Sequence, residues 1–214
     1  MIEIIPAIIA QTYEDFEQKI KSVESFVDRV HLDIMDGIFV SNRTIGGIEE
    51  INKINTKLKF GVHLMVQNPQ HYFIEWFETK ADIIFVHIES DVDIASFINQ
   101  ANLKGKQTGI AINPETDVER LNGFAHIINA VQFMTVHPGQ YGALFVESVL
   151  PKISSFHIKY PHVKIYIDGG MNPDTAKRAV AMGASGIIAG SYIFNHPEGI
   201  ENGIEELKKA INHY

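Results

Sequence analysis

Charged side chains occur inside a stretch of sequence that is otherwise apolar. The segment VHLDIMDGIFV, residues 30–40, has the composition of a buried β-strand but contains His31, Asp33 and Asp36. Burying a carboxylate without a partner is strongly destabilising. Because side chains two residues apart on a strand point to the same side, His31 and Asp33 are expected to project together. The pattern therefore predicts a partner that offsets the burial of these two groups.

Residues of the same kind lie near the ends of other apolar segments: His63, His87, Glu89, Asn113, His137 and Asp168. Imidazole nitrogen and carboxylate oxygen are ligands for Zn²⁺, Fe²⁺ and Mn²⁺, and paired carboxylates are able to act as general acid and base. Taken singly, each residue is explained as well by a hydrogen-bonded core histidine, a turn former or a helix cap. The set that favours a metal or acid–base site consists of two histidines and two aspartates: His31, Asp33, His63 and Asp168.

Two kinds of segment alternate along the chain and must position these residues. Short apolar segments predict buried strands at 2–9, 29–35, 58–66, 82–89, 107–113, 130–136, 163–170 and 186–194. Helical periodicity predicts helices at 13–26, 91–103, 143–160, 172–183 and 197–214, with weaker candidates at 45–56, 69–79 and 117–123. Eight such units predict a single-domain (β/α)₈ TIM barrel over residues 1–214, with a doubly wound open sheet as the alternative.

In such a barrel the chemistry lies at the C-terminal ends of the strands, where all of these polar residues are expected. The loops after strands 7 and 8 often bind phosphate. Here they read DGGMN (168–172) and AGSYIF (189–194). Glycine lets the backbone approach an anion closely. A phosphate site is therefore predicted at Gly169, Gly170, Gly190 and Ser191, although glycines also simply make turns.

Composition excludes several classes of function. The net charge of −8 argues against a nucleic-acid or anionic-membrane partner. The sequence has no cysteine, which rules out disulfides, thiolate metal sites and a cysteine nucleophile. Glu3 and Pro6 do not suit a signal peptide, and no segment reaches the roughly 18 apolar residues of a membrane span. A cytoplasmic protein is expected.

Six ordered motifs resemble those of the ribulose-phosphate 3-epimerase family along nearly the whole chain: HLDIMDGIFVSN, GVHLMVQNP, GIAINPET, FMTVHPGQYG, IDGGMN and AGSYIF. The resemblance implies a ribulose-phosphate-binding TIM barrel that holds one divalent metal ion, with Zn²⁺, Fe²⁺, Mn²⁺ and Co²⁺ as candidates. It implies epimerisation at C3 of a keto-sugar phosphate, with D-ribulose 5-phosphate converted to D-xylulose 5-phosphate. A small sugar phosphate is then the expected partner, and family members commonly form homo-oligomers.

Residue by residue, the resemblance assigns metal binding to His31, Asp33, His63 and Asp168. It assigns the two acid–base roles to Asp33 and Asp168. It places three methionines beside the substrate, together with His63: Met35, Met65 and Met134. Ordinary core packing explains these methionines equally well. It also extends the phosphate site to the strand 6 loop, so that the set becomes Gly139, Gly142, Gly169, Gly170, Gly190 and Ser191.

The sequence departs from the family pattern near the substrate. Ala7 and Ala10 replace two serines, Ser41 replaces a proline, and Gly61 with Val62 stands where an aspartate is usual before HLMV. The strand 6 loop HPGQYGA also differs. These changes leave two alternatives open: a 3-epimerase of a related sugar such as allulose 6-phosphate, and a sugar-phosphate-binding protein without turnover.

Overall fold

A computed structural model of the protein describes residues 2–138 and 144–212. Its eight strands are β1 Glu3–Ile8, β2 Arg29–Met35, β3 Lys59–Met65, β4 Ile83–His87, β5 Gln107–Ile112, β6 Ala130–Met134, β7 Lys164–Asp168 and β8 Gly186–Ala189. They pair in parallel in chain order, and β1 also pairs with β8. The sheet is therefore a closed barrel, which confirms the predicted fold and rules out the open sheet.

The α-helices of the described residues are α1 Tyr13–Val23, α2 Ile48–Lys53, α3 Phe73–Phe77, α4 Ile94–Leu103, α5 Leu150–Lys159, α6 Pro173–Ala181, α7 Ser191–Phe194 and α8 Ile200–Ile211. Two of the predicted helices differ clearly from the structure. The helix predicted at 117–123 is only a 3₁₀ turn, Val118–Leu121. The helix predicted to begin at 143 starts at Leu150, since Pro151 suits the first helical turn.

The strand predicted at 186–194 is wrong in its second half. β8 ends at Ala189, and the backbone leaves the extended conformation at Gly190. The N–H groups of Ile193 and Phe194 both donate to the Gly190 carbonyl, so the following residues form α7. An apolar run alone does not distinguish a strand from a buried helical turn, which is why the prediction extended too far.

Alternate residues of β2 lie in two different environments. Leu32 and Ile34 pack in the apolar core between the sheet and the surrounding helices. His31 and Asp33 face the barrel interior, where His31 packs edge-on against Phe85 at 5.4 Å between ring centres. The two-residue period of a strand thus places the polar groups of β2 inside the barrel. None of the helices within residues 2–138 and 144–212 is long and apolar enough to cross a membrane.

Helix α6 follows the loop after β7 and begins with a capping box. The Asn172 side chain accepts hydrogen bonds from the N–H groups of Asp174 and Thr175, at 2.9 and 3.1 Å. In return the Thr175 hydroxyl accepts from the Asn172 N–H at 2.9 Å. These bonds satisfy helix-end donors that lack partners inside the helix, and they hold the loop that follows Asp168.

Asn172→Ala is expected to lower the free energy of unfolding by about 1 kcal/mol, because it removes the cap acceptor. Urea denaturation followed by circular dichroism would measure the change. Asn172→Asp keeps an acceptor and should retain most of the stability. Equal losses in both variants would mean that the cap bond does not carry the effect.

Candidate metal centre and acid–base site

Three strands bring the four predicted ligand residues together inside the barrel. His31 and Asp33 lie on β2, His63 on β3 and Asp168 at the end of β7. The β2–β3 register sets Asp33 beside His63. All four side chains are buried, and one ligand atom from each lies within 4.8 Å of the others. The four residues predicted from separate strands therefore form one compact cluster.

The contacts within the cluster leave room for a cation. His63 Nδ1 lies 3.0 Å from Asp33 Oδ1 and 3.6 Å from Asp168 Oδ2. His31 Nε2 is buried, lies 4.0 Å from Asp33 Oδ1, and makes no hydrogen bond of normal geometry to any residue that the structure describes. A buried polar nitrogen without a partner is unfavourable. A cation would satisfy it, and two imidazoles with two carboxylates suit one divalent transition metal or zinc ion.

Burial changes the protonation of the four groups. It raises the pKa of Asp33 to about 8. Burial and the neighbouring Asp33 raise the pKa of Asp168 well above its usual range, partly offset by a hydrogen bond from Gln132. Burial also lowers the pKa of His31 and His63, which are therefore neutral and available as ligands. A bound cation would favour the ionised carboxylates.

The two carboxylates open into one cavity at the C-terminal end of the barrel. Asp33 and Asp168 share its wall with apolar side chains, with the loops after β7 and β8, and with Ala7, one of the two alanines that replace family serines. Its other lining residues are Ile9, Met35, Met65, Met134, Val136, Gly169, Gly170, Met171, Ile188, Gly190 and Ser191. The predicted acid–base groups, the methionines and the described part of the predicted phosphate site thus face the same space.

The loop after β7 requires glycine. Gly169 and Gly170 have φ angles of 114° and 63°, a backbone region that other residues rarely adopt. A Cβ at Gly170 would lie 2.9 Å from the backbone nitrogen of Phe145. The Thr135 hydroxyl donates to the Gly169 carbonyl at 2.6 Å and fixes the loop from β6. Two further predicted phosphate residues, Gly139 and Gly142, lie outside the described residues.

Two other polar residues singled out in the sequence, Asp36 and His137, do not belong to the four-residue cluster. Asp36 Oδ1 accepts hydrogen bonds from the N–H groups of Ile38 and Phe39, and Oδ2 accepts from the Gln67 N–H, each at 2.8 Å. Asp36 therefore organises the turn after β2. His137 is exposed and lies 3.4 Å from Glu115, away from the four-residue cluster.

Sequence patterns did not reveal the partners of the cluster. Gln132 on β6 is fully buried, and its Nε2 donates to Asp168 Oδ2 at 2.7 Å and lies 3.1 Å from His63 Nδ1. His87 on β4 contacts His63, and Glu89 contacts His87. The only sequence signal for Gln132 is a polar residue in an apolar strand. The two-residue spacing of His87 and Glu89 is typical of side chains on one side of a strand, but the contact of His87 with His63 depends on how β4 pairs with β3.

Comparison with known proteins identifies relatives along almost the whole chain. The profile of the ribulose-phosphate 3 epimerase family matches residues 3–194. The chain is 33% identical to the ribulose-phosphate 3-epimerase of Bacillus subtilis, over 99% of this chain and 97% of that protein. It is 34% identical to the ribulose-phosphate 3-epimerase of Methanocaldococcus jannaschii, over 98% of this chain and 91% of the relative.

Solved structures with the same architecture are more distant in sequence. 3-Hexulose-6-phosphate synthase from Salmonella typhimurium superposes with a TM-score of 0.76 at 19% identity, covering 99% of both chains. Orotidine 5'-phosphate decarboxylase from Pyrococcus horikoshii gives 0.69 at 17% identity, covering 98% of this chain and 99% of that one. At these identities the likeness supports the barrel fold alone. The sequence match carries the classification: the chain belongs to the ribulose-phosphate 3-epimerase family.

Proposed function

We propose that the protein is a metal-dependent isomerase that inverts C3 of a keto-sugar phosphate, with D-ribulose 5-phosphate and D-xylulose 5-phosphate as the interconverted pair. The observation that carries the proposal is the shared cavity. Asp33 and Asp168 lie on its wall with His31 and His63 beside them, and the glycine loops after β7 and β8 complete the lining. The acid–base groups and the glycine loops proposed to bind phosphate thus face one cavity.

The two carboxylates suit a proton transfer at carbon. C3 of such a sugar is next to the C2 carbonyl, so loss of its proton gives an enediolate. Inversion requires one group to remove the proton on one side of C3 and another to deliver a proton on the opposite side. We assign these roles to Asp33 and Asp168. Their raised pKa values lie closer to neutral pH than those of exposed aspartates, which suits groups that both accept and donate protons.

The metal site would be formed by His31, Asp33, His63 and Asp168. When bound, the ion supplies Lewis-acid stabilisation of negative charge on the substrate oxygens. The donor set accommodates Zn²⁺, Fe²⁺, Mn²⁺ or Co²⁺, and we propose one ion of this group. Gln132 holds one Asp168 oxygen by its 2.7 Å hydrogen bond, which restricts how that carboxylate turns toward substrate and metal.

Three methionines are proposed to keep water from the reacting carbon. Met35, Met65 and Met134 are at most 4% exposed and all line the cavity. Met35 and Met65 pack together in one apolar cluster with Val40. A dry site strengthens the electrostatic interactions of the carboxylates and protects the planar intermediate from stray protonation.

Ser191→Ala is expected to raise KM for the sugar phosphate about 10- to 100-fold with a small effect on kcat, because a hydrogen bond to a charged phosphate is worth about 1.5–3 kcal/mol. Steady-state kinetics would measure the change. Ser185→Ala is the matched control. Ser185 Oγ accepts from the Ile165 N–H at the opposite end of the barrel, so its loss should leave KM unchanged. Equal effects of the two substitutions on KM would contradict the assignment of Ser191 to the phosphate site.

The most direct test of the function is proton exchange at C3 in deuterated water, followed by NMR over a panel of keto-pentose and keto-hexose phosphates. Exchange and epimerisation of D-ribulose 5-phosphate are the expected result. Faster turnover of allulose 6-phosphate would replace the substrate but keep the reaction. Tight binding of sugar phosphates without any exchange would contradict the enzyme and favour the binding protein without turnover.

The remaining sequence-based expectations stay predictions. They are a homo-oligomeric state, which light scattering would measure, a single domain over residues 1–214, a cytoplasmic location, and the absence of a nucleic-acid partner. We propose a sugar phosphate as the one small-molecule partner.

A further inference from the structure

We propose that His87 and Glu89 are positioning residues that set the tautomer of His63, so that the unprotonated Nδ1 of His63 faces the metal position. The inference rests on the proposed metal-dependent function and deepens it. Neither residue reaches the four-residue cluster as a ligand. Both act through His63.

A continuous chain of contacts links Glu89 to the cluster. Glu89 Oε1 accepts the Asn113 N–H at 3.0 Å, and Oε2 lies 3.1 Å from His87 Nδ1. His87 Nε2 lies 2.8 Å from His63 Nε2, and the two rings stack with centres 4.9 Å apart. Both rings are fully buried, and Phe39 covers His87 at 4.8 Å between ring centres. Water is therefore unable to substitute for a missing partner in this chain.

The hydrogen-bonding capacities of the groups determine where the protons lie. Burial alone would raise the pKa of Glu89, but hydrogen bonds from His87, Thr116 and the Asn113 N–H bring it below the usual value. An ionised carboxylate only accepts, so His87 Nδ1 must carry the proton that it donates to Glu89. The 2.8 Å contact between His87 Nε2 and His63 Nε2 needs one donor and one acceptor. The proposal places that proton on His63, so that His87 Nε2 accepts.

The result at the other end of the His63 ring is an unprotonated Nδ1. That atom faces Asp33 Oδ1 at 3.0 Å and Gln132 Nε2 at 3.1 Å. Gln132 Nε2 is a donor, so it is compatible with a lone pair on His63 Nδ1 and not with a proton there. Gln132 on one side of the ring and His87 on the other favour this tautomer, and in our proposal they outweigh Asp33 Oδ1, the one neighbour able to accept a proton from Nδ1.

This tautomer is the one that a metal ion requires. A ligating imidazole commonly donates its other N–H to a neighbouring acceptor, which fixes the ring and raises its basicity. Here the acceptor is a second imidazole, itself anchored by a carboxylate. If His87 did not accept, His63 would be free to place its proton on Nδ1, where it would block the metal.

His87→Leu is expected to weaken Zn²⁺ binding by about 10- to 100-fold, because it removes the acceptor for His63. Competition with a chromophoric chelator would measure the affinity of the folded full-length protein. His87→Gln offers an amide oxygen as acceptor and should recover most of it. Glu89→Gln should fall between wild type and His87→Leu. His126→Leu replaces an exposed histidine outside the cluster and should bind Zn²⁺ like the wild type.

Histidine ¹⁵N NMR gives a second measurement that needs no disruptive variant. In the wild type, both with Zn²⁺ and after chelation, the expected pattern is Nε2–H for His63 and Nδ1–H for His87. His63 protonated at Nδ1 in the chelated protein would overturn the inference. So would wild-type Zn²⁺ affinity in His87→Leu.

The two proposals fail in different ways. If the wild type binds Zn²⁺ but exchanges no C3 proton, the proposed function is wrong. The positioning role of His87 is then still decided by the Zn²⁺ affinity of His87→Leu. If the wild type is an active epimerase and His87→Leu keeps both Zn²⁺ affinity and the wild-type His63 tautomer, the positioning role is wrong and the function stands.

Discussion

Asp168→Asn is expected to reduce kcat for C3 epimerisation by about 10³-fold, because an amide is unable to exchange a proton with the substrate carbon. Asn is close to Asp in size, and it keeps one oxygen within reach of the Gln132 Nε2, which donates to Asp168 at 2.7 Å in the native protein. The barrel should therefore fold normally. Asp33→Asn should cause a loss of the same order, since inversion needs a proton-transfer group on each side of C3.

Two controls make the result specific to proton transfer. Asp174→Asn, six residues further along the chain, removes only an exposed ion pair with Arg178 and should leave kcat unchanged. Zn²⁺ content must be measured in each variant, because both carboxylates also belong to the proposed metal site. Full epimerisation and full deuterium exchange by a metal-replete Asp168→Asn protein would refute the two-base mechanism.

Removal of the divalent metal is expected to abolish epimerisation, and its return should restore activity. The reason is that the ion stabilises the charge that develops on the substrate oxygens. The metal should also stabilise the fold, since four buried ligands bind it in the folded state alone: at a free concentration of one hundred times Kd, the stabilisation is about 2.7 kcal/mol. Elemental analysis, kinetics and thermal unfolding of chelated and reloaded protein would test all three.

His31→Gln separates the metal effect from the acid–base effect. His31 Nε2 is a buried nitrogen that forms no hydrogen bond with any described residue, and it takes no part in proton transfer at C3 in the proposed mechanism. The variant should lose metal affinity and regain part of its activity when metal is in excess. His162→Gln, a substitution at an exposed histidine, should match the wild type. A metal content below a tenth of an equivalent in reloaded wild-type protein would contradict the site.

The metal-dependent stabilisation should increase as pH rises. Burial raises the pKa of Asp33 and Asp168, so in metal-free protein these groups keep their protons at a pH where exposed aspartates have lost them. A cation must displace those protons in order to bind. The difference in unfolding temperature between reloaded and chelated protein should therefore be largest above about pH 8, the pKa of Asp33, and shrink as the pH falls below it. A difference that grows toward acid pH would contradict this account.

The barrel and the identity of the four clustered residues were predictable from the linear sequence. Alternation of apolar segments with amphipathic ones requires a parallel sheet covered by helices, and the two-residue period of β2 directs His31 and Asp33 to the same side. The family motifs then single out His63 and Asp168. These are local properties, and a local pattern is visible in a linear sequence.

Which side chains touch depends on the tertiary structure. The register of β2 against β3 brings Asp33 to 3.0 Å from His63, although thirty residues separate them, and the pairing of β3 with β4 brings His87 against the far side of the His63 ring. Closure of the barrel sets Gln132 between His63 and Asp168. Hydrogen bonds across a barrel depend on distances between strands that are remote in sequence, so no local pattern records them. The strand predicted at 186–194 is too long for a similar reason. The backbone turns at Gly190, but the run of apolar residues continues through that turn.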